Sequence, residues 1–590
     1  MYLLKKNMVI LLLLITTVSV MGQEAPITTS FTPRDTSRFV EVLQSKTLEF
    51  RKIDSVTELQ IMSGNVKLRQ GNSYFDCDSC VKNEKTGIFE AFGHVHLNDS
   101  DTTDVYSDYL LYNINTKIAY LKKNVKLTDG KGVLTTNELE YDVSTKIGTY
   151  KNGGTVVNEQ TIVTSKEGVY YSDLKDVYFK KNVELKDPAY YVKSDSILYN
   201  TETETARFIA ETFIRDSTGR TINTREGFYN LKTGNAEFGR RSVINDGSLQ
   251  VTGDYIYNND SLGIIQIQGR GIVRDTAEGR TVLADNIFVD KNKDAFLATR
   301  NPVMIIKQDN DSIFIAADTL FSARLTDLVK PKVSDTLSPV DSDLVVGNDS
   351  LKLGGLTKDS TIQGPIVKQV LASDSVAMDH APQKEMIVGT VVMDADTLQN
   401  KDSTNRYFEA YGNVRIFSDS LQAVCDSLFY SFRDSTFRLY DDPVVWTNKN
   451  QVFGDTILLF TKNKKASKME AFNNSFLAGE LDPEVYNQVQ SRRLDAWFTD
   501  GDIDSARARG GAQSIYYLQD QDSAYTGVNQ SECDLYDIYF FQQELKRIVA
   551  RSGVKGTLWP IRQKSPTEMR LQNFKWMDDR RPKSKYELFQ

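Results

Sequence analysis

The sequence predicts an all-β chain: an elongated trough of stacked, antiparallel, bent strands, built from about 10–12 copies of a thirty-residue unit. Three observations predict it. A phrase recurs along most of the 590 residues, for example YSDYLLYNINTKIAYLKKNVKLTD from Tyr106 and TTNELEYDVSTKIGTYKNGGTVVN from Thr135. It is marked by Val66, Val95, Val125, Val156, Val183, Val243, Val273, Val303, Val414 and Val444, with Ile214 in the one vacant place. Within each copy, apolar and polar residues alternate with the period of a strand, in two segments separated by turn residues. Gly or Lys stands at the centre of the longer segment (Gly64, Gly93, Gly412, Lys123, Lys181), where an interior glycine marks a bend.

Residues 1–22, MYLLKKNMVILLLLITTVSVMG, read as a secretory signal: Lys5 and Lys6 precede a short apolar run, with Val20 and Gly22 before the cleavage point. The alternative is a retained anchor helix. Residues 23–47 form a lead-in, and 48–325 carry the repeats. In the first segment of a copy, Asp108, Leu110 and Tyr112 share a face, as do Asn137, Leu139 and Tyr141, and Asp195, Ile197 and Tyr199. In the second, Val95 and Leu97 share a face, matched by Val66 and Leu68, Val125 and Leu127, and Val183 and Leu185. The opposite face is polar (Asn124, Lys126, Thr128), and the connections are hairpin-length, too short for parallel crossovers.

No Phe, Tyr or Trp lies between Phe321 and Tyr407. Residues 326–405 are therefore expected to be a disordered insert without a packed core. AADTLF (Ala316–Phe321) and RYFEAYGNVRIF (Arg406–Phe417) are the two halves of one copy, so the insert takes the place of a hairpin turn, leaving one continuous trough. Repeats resume over 406–545 and decay after about Phe476, with Leu481–Asp495 read as a short helix and the last copies as caps. Residues 546–590 are a basic tail, with 12 Lys/Arg against 4 Asp/Glu and Trp576 as its one large anchor.

Composition excludes several functions. Without Lys5 and Lys6, 69 basic residues face 79 acidic ones, which argues against nucleic acid as the main partner. No phosphate loop, HExxH or GxSxG is present, so no enzymatic activity, catalytic residue or cofactor is expected. His94 and His96 share the polar face of a strand without a third ligand, so no metal site is expected. Cys77, Cys425 and Cys533 each precede a repeated Asp, where other copies carry Ser, Thr, Ala or Gly; the position calls for a small residue. A Cys77–Cys80 disulfide is the alternative reading. Asp108, Asp195, Asp254, Asp285, Asp318, Asp426, Asp455 and Asp495 recur once per copy, not as one catalytic pair. They read as strand-end and turn residues, with calcium bridging as the alternative.

The phrase D-x-L-x-Y … A-x-G-x-V-x-L behind a signal segment resembles the OstA/LptA family, from about Leu48 to Asp327 and again from Phe408 to Ala478. The resemblance implies a β-taco or β-jellyroll in the periplasm, associated with the outer membrane, that shields lipopolysaccharide acyl chains in transport. It implies a lipid-binding groove lined by Val66, Leu68, Val95, Leu97, Leu110, Tyr112, Val125, Leu127, Leu139, Tyr141, Val183, Leu185, Ile197 and Tyr199. It also implies partners of the same fold at the inner-membrane transporter and the outer-membrane translocon, joined by edge-strand addition. The chain is longer than a lone bridge protein of that family, carries the insert, and lacks the amphipathic strand run of a membrane barrel. The competing reading is a structural β-solenoid, a surface or adhesin protein with a filled core.

Overall fold

Alternating residues, a polar opposite face and short turns dictate hairpins, and a computed structural model shows them. It describes residues 39–100, 103–307, 312–328, 405–462, 465–542 and 544–589. The expected signal segment and, apart from 326–328 and 405, the expected insert lie outside the described residues. Two units are distinguished, Met1–Asp246 and Gly247–Gln590.

In the first unit all the pairing is antiparallel, and the long strands pair with their sequence neighbours. Glu58–Gln70 pairs with Ser73–Asn83, followed by Ile88–Asp99, Thr103–Asn113, Ile118–Thr128 and Val133–Asp142. Each strand bends at mid-length, where the register shifts between Ser63 and Val66, Phe92 and Val95, or Lys122 and Val125. Further on the bend divides the strand: Ile147–Tyr150 and Gly154–Asn158 both pair with Val133–Asp142. Two walls result. Wall A holds the arms joined by turns that open with Asn83, Asn113, Asp142 and Asn200, whose side-chain oxygens accept the backbone N–H groups two and three residues on. Wall B holds the arms on the other side of the bend.

The bend has a specific chemistry. Gly64 and Asn65, Gly93 and His94, Lys123 and Asn124, and Lys181 and Asn182 are consecutive residues with positive φ, between 43° and 82°. Two such residues oppose one on the adjacent strand, a bulge that turns the strand sharply. Glycine and asparagine bear this conformation at least cost. The opposing residue is the repeated Asp. Asp108 accepts from Asn124 Nδ2 at 2.8 Å, Asp254 takes both Arg270 Nε and Nη2, and Asp318 and Asp455 accept from Asn413 and Asn474. The repeated Asp thus stands at the corner: between two strand segments at Asp254, Asp318 and Asp455, and within a bent strand at Asp108, Asp195, Asp285 and Asp426. Asp495 departs from the series: it lies within strand Val485–Thr499, 1% exposed, held by Arg493 and Arg509.

The second unit repeats the bend, at Gly269–Arg270, Gly412–Asn413, Asn473–Asn474 and Gly510–Gly511. Thr319–Arg324 pairs with Arg406–Phe417, Arg324 opposite Arg406, so the strands flanking the insert are hairpin neighbours. The weak copies after Phe476 form the longest strands, Lys465–Asp482, Val485–Thr499, Asp502–Gln519 and Tyr525–Phe541. No helix forms over Leu481–Asp495. Its Val489 and Leu494 are fully buried, and ladders on both sides override the local sequence signal.

The tail is not a loose basic segment. Residues 569–588 cross the outer face of wall B in the second unit. Met569 and Leu571 pack with Phe476, Ala478, Ile515, Tyr517 and Val528, Met577 packs with Val424, Val444 and Trp446, and Leu588 with Val303 and Ala316. These residues alternate with the inward set Ile416, Ala423, Val445, Val452, Leu477 and Val489, so wall B is buried on both faces here. Gln488 and Gln451 grip the tail backbone as strand neighbours would. Gln488 donates to Met569 O and accepts from Leu571 N; Gln451 donates to Lys575 O and accepts from Met577 N. Trp576 has company as an anchor: Met569, Leu571 and Leu588 are all buried more deeply.

Candidate functional site

The alternation that builds the walls decides which side chains meet between them. Wall B contributes Val66, Leu68, Val95, Leu97, Val125, Leu127, Val183 and Leu185; wall A contributes Leu110, Tyr112, Leu139, Tyr141, Ile197 and Tyr199. None of the fourteen is more than 2% exposed. The strands between them add a second set that the phrase does not single out: Phe75, Val105, Leu134, Val163 and Val192 on wall B, and Phe89, Leu121, Phe179 and Phe208 on wall A. Their signal is register, since each stands opposite a lining residue on the neighbouring strand. The walls touch directly, with Phe75 on wall B 5.2 Å from the Phe89 ring and 4.7 Å from the Tyr112 ring on wall A.

Polar groups occur at two levels of this interior: the bend, where Ser107, Thr136, Ser165 and Ser194 are buried and Tyr150 Oη meets Ser165 Oγ at 2.7 Å, and the mouth between the wall tips. Tyr112 Oη donates to Gln70 Oε1 at 2.7 Å, and Gln70 Nε2 donates to Ile114 O at 3.0 Å. Tyr141 Oη donates to Asp99 Oδ2 at 2.9 Å, while Ser73 Oγ donates to Asp99 Oδ1 at 2.9 Å. Lys175 Nζ reaches Asp129 O at 2.8 Å and Oδ2 at 3.4 Å. Asn158 Nδ2 donates to Tyr199 Oη at 3.1 Å and Thr201 O at 3.0 Å. Arg220 Nη2 donates to Tyr229 Oη at 3.4 Å. In all of these except the Ser73–Asp99 bond, which joins neighbours on wall B, one residue sits at the tip of wall B and its partner at the tip of wall A. Burial pushes the Tyr112, Tyr141 and Tyr199 phenols above their ordinary value, with Asp99 adding to the effect at the first two. They therefore stay protonated at physiological pH.

The remaining sequence candidates lie elsewhere. His94 and His96 are on the outer face, on carboxylates: His94 Nδ1 with Asp78 at 2.8 Å and His96 Nε2 with Asp104 at 2.7 Å. No group of three or more metal-ligating side chains occurs among the described residues. The four cysteines are free and buried, so Cys77 and Cys80 form no disulfide. Hydrogen bonding with Cys77, then burial, pushes the Cys80 thiol well up, away from a reactive thiolate. Among the described residues no helix is long and apolar enough to cross a membrane.

The OstA-like protein family matches residues 37–195, the stretch that holds most of the interior positions and the Gln70–Tyr112, Asp99–Tyr141 and Lys175–Asp129 contacts. No curated protein is significantly similar. Among solved structures the chain is similar to LptH, described as the LptA homologous periplasmic component of the lipopolysaccharide transport device of Pseudomonas aeruginosa. That likeness has 15% identity and a TM-score of 0.17, covering 20% of this chain and 84% of LptH.

Proposed function

Taking residues 37–195 as an OstA-like region, we propose that this chain binds lipopolysaccharide in the periplasm and carries it toward the outer membrane, with acyl chains held between the two walls. The observation that carries this reading is the unbroken apolar interior between walls joined only at the bend and the mouth. A stack of bent strands has no ladder across its mouth, so its walls can separate around a guest without losing backbone hydrogen bonds. Each acyl methylene transferred from water to such an interior is worth about 0.8 kcal/mol.

Partners of like fold would add at the ends. The first bent strand, Glu41–Gln44 with Thr47–Lys52, pairs with Glu58–Gln70 and shows Leu48 and Phe50, 46% and 69% exposed. In the second unit Glu544–Arg551 and Lys555–Pro560 pair with Tyr525–Phe541 and show Leu558, 61% exposed, with Val554, 54% exposed, in the turn between them. Apolar, unshielded edges of this kind invite strand addition.

The same burial favours a second reading, a structural stack whose filled core never opens. The two are separated by offering the purified mature chain hexa-acylated lipid A in vesicles and following co-elution. Transport predicts stoichiometric extraction of lipid A, abolished by Leu127→Asp on the interior and unaffected by Lys126→Asp on the outer face. Extraction by neither form would leave the structural stack.

A further inference from the structure

The mouth contacts form a series. Gln70 and Tyr112, Asp99 and Tyr141, Asn158 and Tyr199 each join a wall B tip to the wall A tip about one and a half repeats later in the chain, and Lys175 with Asp129 and Arg220 with Tyr229 continue the row. The wall B members are no more than 7% exposed, and Tyr112, Tyr141, Tyr199 and Tyr229 no more than 1%. The mouth is therefore shut along the first unit. We propose that these rungs are a releasable latch: they hold the trough closed at rest, and an acylated amphiphile enters sideways as the wall tips part. The proposal rests on the lipid-binding reading and adds how the site is guarded.

Three features support it. First, the walls are continuous only at the bends, where two left-handed residues act as a natural pivot, while the pairings of the first unit run along the stack and not across the mouth. Opening therefore breaks rungs and side-chain packing only. Second, the rungs are polar on both sides. A phenol, amide or carboxylate that loses its partner on opening is solvated by water, so these residues suit the open and the closed state alike. An all-apolar mouth would suit only the closed one. Third, the lining exposed by opening is covered again once acyl chains enter, so the guest replaces the wall-to-wall contacts that it displaces.

The test uses the full mature chain and fluorescent lipid A mixed by stopped flow. Tyr112→Phe, Tyr141→Phe and Tyr199→Phe together remove three rung hydroxyls while keeping the rings. The latch predicts lipid A association faster by about fivefold or more, the factor that one net hydrogen bond supplies. In a second variant Asn72→Cys and Asn115→Cys, on exposed turns at the two tips beside the Gln70 rung, are joined by a bis-maleimide; the native cysteines are buried. Joining the tips should slow association by about tenfold or more, relative to the same variant unjoined. Unchanged association in the Phe variant, or undiminished association in the joined one, overturns the latch and leaves lipid binding standing. If the Phe variant does not fold, the joined variant decides alone. Failure of the unmodified chain to take up lipid A at all overturns both readings.

Discussion

At the residue scale the corner explains the most. A left-handed pair favours Gly or Asn in at least one of its two places, and the opposing carboxylate needs a donor, so Gly-Asn, Lys-Asn, Gly-Arg and Asn-Asn recur against one Asp. At Gly412, φ is 73° and a Cβ would stand 2.3 Å from Asp318 Oδ2. Gly412→Ala is expected to lower stability by about 1–2 kcal/mol in chemical denaturation, while Asp318→Asn, which keeps an acceptor for Asn413, costs less. His94 supplies a pH-dependent corner. Its hydrogen bond to Asp78, then that residue's charge, raises its pKa above the ordinary 6.5. The protonated pair is therefore stabilising below pH 6.5, and the contribution disappears as pH rises through the raised value. An NMR titration should give a His94 midpoint above 6.5 that falls back in Asp78→Asn. Asp495 and Asp537 have the opposite sign: burial pulls their pKa values up, but Arg493 with Arg509 and Arg507 with Arg551 outweigh it and hold both below 3.8. Their stabilisation is complete above pH 3.8 and fades as pH falls through the lowered values, so the second unit should lose stability in that acid range.

At the scale of elements, bent strands were legible in the sequence because two signals coincide, period-two alternation and a Gly or Lys at its centre. The partner of that centre was not legible: alternation places Asp108 on the face of Leu110 and Tyr112, but gives no sign that a bulge aims it at Asn124. Strand Val485–Thr499 was misread as helix because its polar residues, Asn487, Gln488 and Gln490, look solvent-facing in isolation. They are polar because Gln488 binds the tail backbone and Asn487 binds Tyr517 N. The tail strap was invisible for the same reason, since its docking face is assembled from eight or more strands. Gln451→Ala and Gln488→Ala, each deleting a two-bond clamp, are expected to cost about 1–3 kcal/mol apiece. Hydrogen exchange at the Met577 and Leu571 amides, respectively, should quicken. Deleting the chain after Lys564 uncovers Trp446, Phe476 and Ile515 and should increase binding of an apolar dye.

At the scale of the whole molecule, the thirty-residue period was sufficient to read an all-β stack, and an OstA-like region over 37–195 agrees with it. The fourteen lining positions were legible as one face of alternating strands, and all are interior. The closure of that interior was not, because the Gln70–Tyr112, Asp99–Tyr141 and Asn158–Tyr199 contacts join residues 41–42 apart in sequence, a separation fixed by wall depth rather than by any local pattern. An apolar interior closed by polar rungs is compatible with cargo or with a permanent core, and capture of lipid between the walls distinguishes them. The most direct measurement is photo-crosslinking in living cells from benzoyl-phenylalanine placed singly at Leu127, Leu185 and Ile197, with Lys126 on the outer face as control. A lipid-carrying trough predicts lipopolysaccharide adducts at the three interior positions and none at Lys126. Folded, exported protein that yields no adduct at any interior position would contradict it.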